Sequence, residues 1–132
     1  MPTFTARAVA AFEADGYVVD QERTAKDLEA RGYKVVGIGR GGYPRERFPS
    51  YTVRALDADG KPGSDWLGLI EPLVIERPYT YMDGHQTTVQ RRRGFTLRPK
   101  RRGSWMTRKP VGKYATTVAA AHALVDMIEA TS

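Results

Sequence analysis

Tyr79-Thr80-Tyr81-Met82-Asp83-Gly84-His85-Gln86-Thr87-Thr88-Val89-Gln90-Arg91-Arg92-Arg93-Gly94-Phe95-Thr96-Leu97-Arg98 is the stretch that decides the fold. Asp83-Gly84 is a hairpin turn, because Asp and Gly tolerate the positive φ such turns demand. Thr87 to Leu97 reads as one long strand, with Tyr79 to Met82 as its partner on the other side of the turn. Working toward the N-terminus, Leu73–Glu76 and Trp66–Ile70 are short strands broken by Pro72, which places a bend or an edge there. Asp57 to Gly63 is dense in turn formers and separates them from an alternating strand at Tyr51–Leu56. Tyr33 to Ile38 is a strand before that. Toward the C-terminus, Pro99-Lys100-Arg101-Arg102-Gly103 is a turn and Ser104–Arg108 a returning strand.

Helices flank these strands. Phe4, Ala8, Val9 and Phe12 recur at helical spacing over Thr5 to Asp15, and Gly16 can end that segment. Asp20 reads as an N-cap for Gln21 to Arg31. Only Ala25 and Leu28 line an apolar stripe there, which implies a surface helix. Thr116 or Thr117 caps a last helix to about Ala130, its apolar face Val118, Ala121, Leu124, Val125 and Ile128. The expected class is α+β: a mostly antiparallel sheet of five to seven strands, two N-terminal helices and one C-terminal helix.

With 132 residues the chain reads as a single domain, 1–132, and its 41% hydrophobic and 27% charged content is ordinary for a globular protein. It has no cysteine, which excludes disulfides, zinc–thiolate sites and thiol catalysis. No apolar run approaches the roughly 20 residues of a membrane span, so no membrane role is expected. Met1-Pro2-Thr3-Phe4 does not begin a secretory signal, and a cytoplasmic location is the expectation.

Charge is the one functional pointer. Between Arg91 and Lys113 stand ten Lys and Arg and no Asp or Glu; the chain is +6, so the remainder is net −4. Local basicity of this kind marks a docking surface for an anion. On a strand, Val89, Arg91, Arg93, Phe95 and Leu97 share one face and Gln90, Arg92, Thr96 and Arg98 the other. Arginine on both faces does not suit a core strand, since a buried unpaired guanidinium is costly. The Arg91 end is therefore expected to project beyond the sheet, with Phe95, Leu97 and Trp105 as anchors. A basic β-ribbon of this kind fits the major groove, where arginine grips phosphate or guanine. The expected contacts are Arg91, Arg92, Arg93, Arg98, Lys100, Arg101 and Arg102, flanked by Arg108, Lys109 and Lys113. Tyr79, Tyr81 and Trp105 are candidates to stack on bases.

A basic strand pair followed by a helix resembles the small three-stranded arm-binding domains of phage integrases, which implies DNA as partner. The tail from Gly112 to Ile128, with Ala119-Ala120-Ala121-His122-Ala123-Leu124, resembles the last helix of double-stranded RNA-binding domains. It has Thr116-Thr117-Val118 where that family carries a lysine cluster. Neither resemblance assigns the chain to a family.

Other motifs dissolve on inspection. Gly37-Ile38-Gly39-Arg40-Gly41-Gly42 matches G-x-G-x-x-G, but Tyr43-Pro44 and Pro49 prevent the helix that a dinucleotide site requires. It reads as a glycine loop, with Arg40, Arg45 and Arg47 as a second phosphate contact. Asp57, Asp59 and Asp65 lack the calcium-loop pattern and suit a polar turn. His85 and His122 have no carboxylate at ligand spacing; His122 reads as packed. No catalytic residue, metal or cofactor is expected. The expected function is non-catalytic nucleic-acid binding, DNA ahead of RNA. The rival is an interaction or assembly protein, such as a virion component or a phage-encoded modifier of a host protein, with an acidic protein or a second copy as partner. A metal-dependent nuclease would need Asp57, Asp59, Asp65 or Glu71.

Overall fold

The computed structural model describes residues 4–38 and 48–131. Helices α1 (Ala6–Ala14) and α2 (Ala25–Ala30) come first, strands β1 (Tyr33–Gly37), β2 (Tyr51–Leu56), β3 (Pro62–Thr80), β4 (Gln86–Pro99) and β5 (Val111–Tyr114) follow, and α3 (Thr117–Thr131) closes the chain. The strands form one antiparallel sheet in the order β1-β2-β3-β4-β5. The α+β class and the two-plus-one helix count are as the sequence implies. Glycine loop residues 39–47, with Arg40, Arg45 and Arg47, lie outside the described residues.

Thr5 caps α1, its hydroxyl accepting from the Ala8 N–H at 3.1 Å. The second helix starts later than Asp20. That carboxylate accepts from the Glu22 and Arg23 N–H groups and pairs with the Arg23 guanidinium, which closes a local turn instead of opening a helix. Thr24 and Asp27 then form a capping box that starts α2. This helix is not merely superficial, because Leu28 is fully buried in the core. Packing outweighs the thin stripe seen in the sequence.

β3 runs unbroken through Pro72. The β2 ladder ends at the Tyr51–Ile70 pair, so the missing Pro72 N–H costs no bond on that side. On β4, β5 pairs with Phe95 and Leu97, and on its outer side Tyr114 bridges Val18. From Val74–Arg92 to Thr80–Gln86 the two central strands therefore continue as a two-stranded ribbon. Its turn is closed by the Tyr81 N–H to the His85 carbonyl at 2.8 Å, with Gly84 at φ +88°. The Arg91 end projects beyond the five-stranded part.

Ser104–Arg108 is not a strand. It is the far limb of a tight loop joined by a single bridge, Lys100–Thr107, with Arg101 N–H to Met106 C=O and Arg108 N–H to Pro99 C=O, both at 2.7 Å. Gly103 at φ +71° and the Ser104 hydroxyl, which accepts from the Met106 N–H, curl the limb, and Pro110 has no donor to extend a ladder. The neighbour of β4 is β5, which the sequence reading missed. Trp105 is 81% exposed and anchors nothing; the anchors are Phe95 and Leu97.

The core lies between the sheet and α3. Ala119, Ala120, Ala121, Leu124 and Val125 pack on Val53, Ile70, Phe95 and Leu97, with Leu28 alongside. Full burial of one such Leu or Phe contributes about 1.5–3 kcal/mol. The buried face of α3 is turned from the expected one: Ala119, Ala120 and His122 are inside, and Val118 and Ile128 sit at its margin. His122 is wholly buried, Nδ1 at 3.0 Å from the Arg31 guanidinium and Nε2 at 2.9 Å from the Thr24 carbonyl. Arginine only donates, so Nδ1 accepts and Nε2 carries the proton.

Candidate nucleic-acid interface

Gly94 governs how the arginines are presented. Between the Pro72–Phe95 and Val74–Arg92 pairs one residue on β3, Leu73, opposes two on β4, Arg93 and Gly94, which is a bulge. Gly94 stands there at φ +72°, a region glycine enters without strain. The extra residue reverses the alternation beyond it. Arg92, not Arg93, then shares a face with Phe95, its guanidinium 4.6 Å from the ring centre. The expected grouping of Arg91 and Arg93 with Phe95 and Leu97 is thus corrected.

The ten basic residues divide by what they touch. Arg93 lies over Phe12 at 5.2 Å and Tyr17 at 5.3 Å and pairs with Asp15. Arg98 pairs with Glu71. Lys100 sits 5.0 Å over the Trp66 ring, and Lys113 5.4 Å over Tyr17. Arg91, Arg101, Arg102, Arg108 and Lys109 are exposed, and among the described residues none has a carboxylate partner.

These five do not form one ribbon. Arg91 and Lys100 are nine residues apart on an extended strand, about 30 Å at ~3.3 Å per residue. The first pole is the projecting ribbon. Ile75 faces Arg91 and Arg77 faces Val89, so Arg77, Tyr79, Val89 and Arg91 share one face. Together with Arg93 they line a shallow cleft of about 480 Å³. Among the described residues no Asp or Glu lines it. Arg77 escaped the sequence reading, although counting outward from Asp83-Gly84 pairs it with Val89 and sets it diagonal to Arg91.

The second pole is the 99–108 loop. Lys100, Arg101, Arg102 and Arg108 face the last turns of α3 across a cleft of about 530 Å³. The stacking candidates divide likewise. Tyr79 and Tyr81 meet edge to face at 5.1 Å on the ribbon, and Tyr81 is stacked on His85. Tyr79 is 48% exposed, and Trp105 belongs to the far loop.

The acidic residues lie mostly elsewhere. Asp20 and Asp126 hold Arg23, and Asp126 and Glu129 hold Arg31, all at 2.6–3.1 Å, in a network that ties α2 and its leading turn to α3. Burial alone would raise the Asp126 carboxyl, but the bonds and charges of Arg23 and Arg31 outweigh it and hold the group below the usual carboxylate range. Among the described residues Asp15 and Glu71 form the ion pairs with the basic segment, and Glu76 stands on the ribbon opposite Gln90.

Asp57, offered above as a metal candidate, closes its turn by accepting from the Asp59 and Lys61 N–H groups. Among the described residues no group of three or more His, Asp or Glu is placed to hold a metal ion. No described helix is long and apolar enough to cross a membrane. Comparison with protein-family models, curated proteins and solved structures finds no match.

Proposed function

We propose that this chain binds nucleic acid, DNA ahead of RNA, through two cationic poles at opposite ends of β4. The observation that carries the reading is the set of exposed arginines and lysines left without carboxylate partners, on surfaces that also offer Tyr79 and Trp105. An exposed ion pair is worth only about 0–1 kcal/mol, so proteins do not hold cations in unpaired clusters for stability. Phosphate contact rewards such clusters through counterion release. The working set is Arg77, Arg91, Arg101, Arg102, Arg108 and Lys109. Arg92, Lys100 and Lys113 lend charge from their aromatic seats, and Arg93 and Arg98 position structure.

With six phosphate contacts, log K falls against log salt with a slope of about −5. Anisotropy titrations of labelled DNA and RNA across about 50–200 mM salt measure it. An affinity insensitive to salt over that range rejects the reading.

A specific observation favours the rival, assembly with a protein. The ribbon tip exposes Met82, Tyr79 and Tyr81, and the outer edge of β4 from Gln86 to Gln90 is unpaired and uncharged. Size-exclusion after nuclease treatment separates the two. A stable oligomer or a co-purifying protein supports assembly; lost nucleic acid with a monomer left behind supports the first reading.

A further inference from the structure

We infer that the cleft between the 99–108 loop and α3 seats an unpaired base, so that the ligand at this pole is single-stranded; the inference rests on the nucleic-acid reading above. Phosphate contact alone needs only charge. This cleft has more: its floor is Leu67, Leu124, Met127 and Ile128, all apolar, and its size is in the range of ligand-binding pockets. Arg101, Arg102 and Arg108 rim one side. Among the described residues no carboxylate lines it, so its charge complements an anionic chain.

An apolar floor under a cationic rim suits a nucleotide, with the flat base below and the phosphate above. A duplex keeps its bases stacked inside and offers this floor nothing. A single strand can turn one base inward, and base contact with an apolar or aromatic surface is sequence-tolerant because every base has a π-face. Trp105, on the same loop and largely exposed, is placed to take the neighbouring base. The cleft also has a polarity. The C-terminal end of α3 carries the negative end of the helix dipole, so the phosphate belongs on the loop side, at the arginines.

The test uses oligonucleotides of one length in three forms: a single strand, the same strand with abasic sites throughout, and a duplex. The single strand is expected to bind roughly tenfold more tightly than the abasic strand, which has the same phosphates. Met127→Ser removes apolar floor without changing charge. Met127 is 37% exposed, so the fold tolerates the change. It is expected to shrink that gap and to leave duplex binding unmoved. Equal affinity for intact and abasic strands overturns the inference but leaves the nucleic-acid reading standing. No binding to any form overturns both. Tight binding of an acidic, leucine-bearing peptide at the cleft, with no preference for bases, reassigns the cleft to a protein partner.

Discussion

Replacing Gly94 with Ala tests the bulge that divides β4 into an anchored half and a free half. A Cβ built at Gly94 lies 2.4 Å from Tyr17 Cε1 and 2.7 Å from the Tyr114 carbonyl oxygen. Neither neighbour can yield easily. The Tyr17 hydroxyl donates to the Arg93 carbonyl at 2.8 Å, and Tyr114 is ladder backbone opposite Phe95. Three costs combine. A non-glycine residue at φ +72° costs about 1–2 kcal/mol. Forcing a methyl group into packed atoms costs about 1–3 kcal/mol more. Displacing Tyr17 sacrifices a hydrogen bond worth about 1 kcal/mol. The expected loss is about 3–6 kcal/mol. Gly84→Ala is the control: φ is +88° there, but a Cβ meets nothing within 4 Å, so only the backbone cost of about 1–2 kcal/mol applies. Urea denaturation of both variants, at unchanged m, gives the difference. If Gly94→Ala is within about 1 kcal/mol of Gly84→Ala, the bulge is not the packed junction described here.

Two further outcomes follow from side chains. Phe95→Ala should cost about 3–5 kcal/mol, whereas Trp105→Ala should change stability by less than about 0.5 kcal/mol and weaken strand binding several-fold; equal melting losses would contradict the assignment of anchor and contact. Asp126 is held below the usual carboxylate range, so its contribution is fully present above the unfolded value of about 3.9 and is lost as pH falls through the lower folded value. Asp126→Asn should therefore flatten the melting-temperature profile on the acid side of about pH 5, and parallel profiles for the two proteins would contradict the Arg23–Asp126–Arg31 network.

Much of the fold was legible because its elements carry local chemistry. Asp83-Gly84 sets the central hairpin, Thr116 caps α3 by accepting from the Ala119 N–H, and Tyr51–Leu56 alternates. What escaped depends on distant partners. Pro72 reads as a break because the local sequence cannot show that the β2 ladder on β3 ends at Ile70. Asp20 resembled a cap, but its carboxylate was engaged by Arg23, and Thr24 with Asp27 did the capping. β5 is four residues with no hydrophobic period of its own; it exists because Tyr114 pairs with Phe95. At the site, the basic run was obvious and its partition was not. A bulge at Gly94, the Asp15 carboxylate just past α1 and the Glu71 carboxylate on β3 take Arg93 and Arg98 out of the proposed contact set. Arg77 entered it through cross-strand register alone.

The central claim is that the unpartnered cations, and not the charge of the segment as a whole, hold the nucleic acid. Its most direct test is the salt slope of single-strand binding for the wild type, for Arg91→Gln/Arg101→Gln/Arg102→Gln, and for Arg93→Gln/Arg98→Gln. The triple variant is predicted to lose about 2 from the magnitude of the slope, at ~0.7 per contact on a single strand, while the double variant keeps nearly the wild-type slope and loses stability instead. A triple variant with an unchanged slope, or a double variant that loses as much slope as the triple, contradicts it.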